Sequence, residues 1–378
     1  MRLLAARHVV LCLLMIGSLG TAPIFAQAPS EVPTEVDFAP TDARYDAAID
    51  TAEDSLRALM DEQQIPGLTA AVLVDGQIVW AEGFGWADVE NRVPVTPLTK
   101  MRVGSVSKSM TGAALGVLLE RNQLDLDAPV QQYVPDFPEK RAPISTRQVA
   151  GHIAGIRHYR GDEFLSATHY ESVEAGLDIF EGDSLLFAPG ERFEYSSYGW
   201  NLVSAVVEGA SGQDFLPFMR EAVFRPLGLR YTVADHVDSL IARRTQFYSV
   251  QDDGTLVNAP YVDNSYKWAG GGFLSTAEDL VRFGEAMING GFFAPETRET
   301  LFTSLETNGG ERTGYGLGFF VGTDDAGRRT VGHSGGSVGG TTQFVMYPEQ
   351  DVVVALIANR GGVDYRAVHQ HIAALFIE

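Results

Sequence analysis

Cysteine is almost absent from this chain. Cys12 is the single thiol among 378 residues, so no disulfide can close within the chain. Positive charge is also in short supply: 28 Lys and Arg stand against 49 Asp and Glu, a formal charge of −21. So acidic a surface disfavours nucleic acid and anionic membranes as partners. The apolar run 9–16 is too short to anchor the chain in a membrane, where a spanning helix needs about 20 residues. Repeats and low-complexity tracts are missing as well. The histidines show no His-Glu-x-x-His arrangement, and without cysteine ligands no metal site and no cofactor is read from the sequence.

What is present begins with a targeting pattern. Arg2 and Arg7 precede the apolar core 9–16, and Ala22-Pro-Ile-Phe-Ala26 follows. This is the layout of a secretory signal peptide, 1–26, cleaved after Ala26. The chain is therefore expected to be periplasmic or secreted, to lose Cys12, and to carry −23 once Arg2 and Arg7 are gone. Residues 27–42, rich in Pro, Ala and acids, read as a disordered lead-in. No linker divides the remainder, so 43–378 is expected to be one domain.

Within it, Tyr45, Ile49, Ala52, Leu56 and Leu59 recur at helical spacing over 43–62, behind Thr41 or Asp42 as a cap. Segments 68–74 and 78–84 flank Asp75-Gly76 and read as a hairpin. The pattern from 101 to about 259 is mainly helical and rich in loops. Ser275-Thr-Ala-Glu278 reads as a capping box opening a helix over 277–287. Near the C-terminus, 343–347 and 352–358 read as adjacent strands and 367–376 as a closing helix. Strands at both ends must meet around a helical middle. The fold class is therefore α/β (α+β), with an α/β part at 43–100 and 265–378 and a helical insertion at 101–264.

The chemistry concentrates in three segments. Ser105 and Lys108, in MRVGSVSKSM at 101–110, stand three residues apart at the start of a helix. Residues i and i+3 share a helix face, and side chains lean toward the N-terminus, which carries the Lys108 amine back to the Ser105 hydroxyl. Unpaired N–H groups and the helix dipole there favour a developing oxyanion. Met110, Ala113, Ala114, Val117 and Leu118 form a buried face that draws Lys108 inward, and desolvation frees its amine to act as a base. Tyr195 and Ser197 supply a phenol and a hydroxyl in a polar turn. Gly332-His333-Ser334-Gly335-Gly336 follows a strand-like stretch, and its glycines let a substrate backbone approach. His152 reads as a satisfied structural histidine. The same glycine-rich segment also fits the Gly-x-Ser-x-Gly nucleophile elbow, but a strand-like stretch follows it where an elbow needs a helix.

Taken jointly, Ser105-x-x-Lys108, Tyr195-Ser-Ser197 and His333-Ser334-Gly335 resemble, in order and spacing, the motifs of the penicillin-binding-protein and class C beta-lactamase superfamily. IRHY at 156–159, FPEK at 137–140 and PYVDNSYKWAGGGFLST at 260–276 resemble its mitochondrial serine beta-lactamase-like branch and bacterial relatives. The resemblance implies a beta-lactamase/transpeptidase-like fold, an antiparallel sheet flanked by helices with an all-helical insertion. It also implies Ser105 as acylated nucleophile, Lys108 as proton acceptor and Tyr195 as proton relay. His333 would contact Tyr195 and a substrate carboxylate, and the N–H groups of Ser105 and Gly336 would form an oxyanion hole. Ser197 stands where the family carries asparagine and His333 where many members carry lysine. Both departures argue against efficient beta-lactam cleavage. The expectation is a secreted serine hydrolase for small peptides, D-Ala carboxypeptidase-like, with ester or weak beta-lactam cleavage and a non-catalytic scaffold as alternatives. Asn264, Tyr266, Lys267 and Trp268 are further residues that could line its cleft; the sequence leaves its oligomeric state open.

Overall fold

Two strand pairs at opposite ends of the chain supply the frame of the computed structural model, which describes residues 34–35, 43–289 and 291–377. β1 (Gly67–Val74) and β2 (Gln77–Asp88) form the expected hairpin. Asp75 and Gly76 have φ of 47° and 75°, the left-handed pair that a two-residue turn requires. β3 (Phe320–Thr323), β4 (Arg329–Ser337), β5 (Gly340–Tyr347) and β6 (Val352–Ala358) come from the C-terminal part. All neighbours are antiparallel, in the order β2-β1-β6-β5-β4-β3. The two ends meet where Ala355 of β6 pairs with Ala71 of β1. The result is the beta-lactamase/transpeptidase-like architecture, a mostly antiparallel sheet flanked by helices.

The sheet is covered on both faces, and β6 shows how. Val352, Val354, Leu356 and Ala358 join one apolar layer, with α1 (Asp46–Gln63) residues Ile49, Ala52 and Leu56. Val353, Ala355 and Ile357 join the other, with α2 (Val106–Glu120). Alternate side chains of a strand point to opposite faces, so a strand buried on both reads as an unbroken apolar run. Of the remaining long helices, α3 (Ser197–Ser211) and α4 (Ala277–Ile288) pack in the α2 layer, and α5 (Arg366–Phe376) packs with α1.

Several local expectations are revised. α2 is buried all round from Val106 to Leu118 rather than on one face. Its glycines permit this, since a Cβ on Gly112 would lie 2.4 Å from the Leu317 carbonyl oxygen. The cap of α4 is Thr276, whose Oγ1 accepts from the Asp279 N–H at 3.2 Å. Ser275 cannot serve because it is still paired, opposite Met101, in a short strand. α1 follows a 3-10 turn at Ala43–Tyr45, and the expected caps Thr41 and Asp42 lie outside the described residues. The helical insertion also holds strands of two or three residues, such as Val233–Ala234 and Tyr248–Val250, too short to leave a period in the sequence. The expected signal peptide lies outside the described residues. Within the expected lead-in, Thr34–Glu35 pair with Phe84 and Gly83. No helix among the described residues is long and apolar enough to cross a membrane.

Candidate active site

Ser105 immediately precedes α2, with φ −65° and ψ −8°, and its side chain makes no capping hydrogen bond. The hydroxyl is thereby free to meet the Lys108 Nζ at 3.0 Å. That amine also contacts Ser197 Oγ at 3.1 Å and donates to the Gly270 carbonyl at 2.6 Å. A neutral amine has two N–H donors and one lone pair. With Gly270 and Ser197 taking the donors, the lone pair faces the Ser105 hydroxyl. Lys108 is completely buried, and burial holds its pKa well below the ordinary lysine value, with the nearby Lys267 cation lowering it further. A serine hydroxyl beside a neutral amine is a nucleophile with its base in place.

The backbone opposite is set by glycines. Gly104 has φ +52°, and a Cβ there would lie 2.7 Å from the Gly336 carbonyl oxygen and 2.9 Å from its nitrogen. A Cβ on Gly335 would lie 2.0 Å from the Val103 carbonyl oxygen. Only glycine lets β4 run this close to the start of α2. The arrangement brings Ser105 and Gly336 to one cavity of about 540 Å³, which Tyr195, Ser197, His158 and Lys267 also line. Backbone N–H groups directed into such a cavity can receive the charge of a tetrahedral oxyanion.

Tyr195 lies under the Lys108 amine, whose Nζ is 5.0 Å from the ring centroid. Its hydroxyl is buried and makes no hydrogen bond. Burial pushes its pKa up, with the nearby Ser105 and Ser197 hydroxyls partly offsetting the rise. The turn that carries it is held by two histidines. The Ser196 N–H donates to His152 Nδ1 at 3.1 Å and the Ser197 N–H to His158 Nδ1 at 3.0 Å. An acceptor Nδ1 requires a neutral ring, and both pKa values are low, His158 near 4, with burial the main cause. His152, expected to be fully satisfied, leaves its buried Nε2 without a partner, 4.3 Å ring to ring from Tyr195.

His333 differs most from expectation. Its Nδ1 meets the Ser334 carbonyl at 2.5 Å and its Nε2 the Tyr315 hydroxyl at 2.9 Å. Its ring stands 6.2 Å from that of Tyr195, without a hydrogen bond between them. It does not line the Ser105 cavity, and burial pushes its pKa down to about 3. It is therefore neutral at physiological pH, not the titrating contact to Tyr195 and substrate that the motif suggested. Ser334 joins it on a separate cavity of about 280 Å³. Ser334 also sits in mid-strand, which removes the nucleophile-elbow reading.

Of the further cleft residues, only Lys267 lines the cavity. Asn264 donates to Asp235 at 2.9 Å, the Tyr266 hydroxyl donates to the Glu163 carbonyl at 2.9 Å, and Trp268 packs on His236. His158, missed as a site residue, appears in the sequence only within the IRHY stretch, which does not reveal its role because that role depends on a turn some 40 residues away. A larger cavity, about 870 Å³, surrounds Arg102, Asp235 and Arg244, but these charges already pair with one another. Among the described residues no group of His, Asp and Glu could hold a metal ion.

The beta-lactamase family model matches residues 52–376. The mitochondrial serine beta-lactamase-like protein of Bos taurus is 33% identical, over 89% of this chain and 81% of that protein. The octameric penicillin-binding protein homologue from Pyrococcus abyssi superimposes with a TM-score of 0.74 at 27% identity, over 87% of this chain and 77% of that one. A D-amino acid amidase from Ochrobactrum anthropi shares the fold, with a TM-score of 0.74 at 20% identity over 86% of this chain and 98% of that one. With the family matched along most of its length, the chain belongs to the beta-lactamase family of serine beta-lactamase and penicillin-binding-protein-like proteins.

Proposed function

We propose that this protein is a serine hydrolase that cleaves small peptides or related amides through an acyl-enzyme on Ser105. The observation that carries the reading is the Lys108 amine, buried, low in pKa and 3.0 Å from the Ser105 hydroxyl. In the proposed reaction Ser105 Oγ attacks the carbonyl carbon as its proton passes to Lys108 Nζ. The amides of Ser105 and Gly336 hold the oxyanion. Tyr195 hands its phenol proton to the departing amine and takes back a proton from the Lys108 ammonium, which restores both groups, and water then releases the acyl group.

Peptides are favoured because the pairing of β3 with β4 ends at Gly332. Beyond it the outer side of β4, through Gly336, has no strand partner among the described residues, and an extended substrate can lie along it. Ser197 is engaged by Lys108 and offers no carboxamide, which supports a peptidase or esterase over a beta-lactamase. The N-terminal pattern supports a periplasmic or secreted setting.

The test is labelling with a fluorophosphonate and a fluorescent penicillin. It is paired with a turnover screen of peptides with L- and D-termini, nitrophenyl esters and nitrocefin. Label on Ser105, and turnover lost by on the order of 10³-fold in Ser105→Ala, is the expected result. No label together with no turnover would refute the reading in favour of a scaffold, and turnover that Ser105→Ala leaves unchanged would refute Ser105 as the nucleophile.

A further inference from the structure

Of the four lysines in this chain, three are bound through their amines. Lys100 donates to the Ala242 carbonyl at 2.9 Å, Lys108 makes the three contacts described, and Lys140 donates to the carbonyls of Glu181 and Asp183. The Lys267 amine makes no hydrogen bond or ion pair with any described residue. It is only 3% exposed, yet it lines the same cavity as Ser105.

Its surroundings explain how a buried cation persists there. The Nζ lies 4.3 Å from the ring centroid of Phe164, 5.0 Å from that of Tyr266 and 5.7 Å from that of Tyr159. Aromatic faces attract a cation but accept none of its three N–H donors in a full hydrogen bond. The acid that acts on it, Asp235, is already bound by Arg102 at 2.7 Å and by Asn264 at 2.9 Å. Arg102 adds repulsion. A buried ammonium with its donors unused and no counter-ion is a costly arrangement. Burial accordingly lowers the Lys267 pKa to about 7. An anion placed in the cavity would relieve each of these costs at once.

We propose that Lys267 is the specificity residue of this cavity and that it hydrogen-bonds a carboxylate carried by the substrate. The proposal rests on the serine hydrolase reading above. It moves charge recognition from the sheet wall, where His333 is neutral and hidden, to the helical wall formed by Lys267, Tyr159 and Phe164. The carboxylate can belong to the acyl group or to the leaving group.

Three esters separate these sources: 4-nitrophenyl hexanoate, which is neutral; mono-4-nitrophenyl adipate, with an acyl carboxylate; and 3-carboxy-4-nitrophenyl hexanoate, with an anionic leaving group. The readout is kcat/KM for each anionic ester divided by that for the neutral one. Loss of one charge-assisted hydrogen bond predicts that Lys267→Met lowers this ratio roughly 10- to 100-fold, through KM, for whichever anionic ester engages the site. Lys267→Arg, which keeps a cation, should restore part of it and controls for loss of folding. Ratios unchanged from wild type for both anionic esters would overturn the proposal.

A binding arm needs no turnover. Adipate is titrated calorimetrically into Ser105→Ala and into Ser105→Ala/Lys267→Met. Binding weakened at least tenfold by the second substitution supports the anion site even if wild type hydrolyses none of the esters, in which case the hydrolase reading alone fails. Equal binding, or none to either protein, overturns the site.

Discussion

Replacing His333 with lysine tests whether the third motif of this protein reads charge. The imidazole is 3% exposed, and both of its nitrogens are used, Nδ1 toward the Ser334 carbonyl and Nε2 toward the Tyr315 hydroxyl. With its pKa pushed to about 3, forming the imidazolium at pH 7 costs roughly 5 kcal/mol, since each pH unit is worth about 1.4 kcal/mol. A lysine ammonium in the same site meets the same desolvation with no acid to pair with. His333→Lys should therefore destabilise the fold by roughly 3–5 kcal/mol at pH 7. The sign with pH follows from a depressed folded-state lysine pKa. The penalty is full below the folded value and shrinks as pH rises toward the unfolded value near 10.4. Urea unfolding at pH 7 and pH 10 measures this, and kcat/KM for a peptide with a free C-terminal carboxylate beside a neutral ester measures selectivity. Wild-type stability at pH 7 combined with a gain on the carboxylate substrate would refute the buried, neutral His333. In the wild-type protein His333 should contribute no divergence between the two substrates from pH 6 to 7.

Lys108→Arg keeps a cation but cannot accept a proton, so turnover should fall by about 10³-fold, and retention of more than about a tenth of kcat would show the lysine to be electrostatic rather than basic. His158→Ala removes the acceptor of the Ser197 N–H and should lower kcat by on the order of tenfold, with His158→Asn restoring part of it if the acceptor is what matters. In wild type that acceptor is lost as pH falls through about 4, while the unfolded chain takes up its proton from about 6.5 downward; stability and kcat should thus decline in this acid window, and an acid limb unchanged in His158→Ala would count against the role. Gly335→Ala puts a methyl 2.0 Å from the Val103 carbonyl oxygen and should push β4 from α2, costing more than tenfold in kcat/KM; full activity by the same assay would show that the oxyanion geometry tolerates the shift.

The sequence alone determined most of what depends on short-range order. Asp75-Gly76 marked its hairpin, the apolar run 352–358 its doubly buried strand, and Ser105-x-x-Lys108 its nucleophile and base, because two residues one helical turn apart must meet wherever that helix lies. Thr276 escaped by one position, since Ser275 is an equally good cap until a strand from residue 101 pairs with it. Tertiary structure decided what depends on distant neighbours. It turned His333 from a candidate cation into a buried neutral acceptor by placing Tyr315 against it, and made His158 a support for Ser197. It also left Lys267, one lysine among four, as a cation facing the cavity without a hydrogen-bond partner for its amine among the described residues. Charge state and hydrogen-bond duty are set by dielectric surroundings and by groups tens or hundreds of residues away, which local periodicity does not encode.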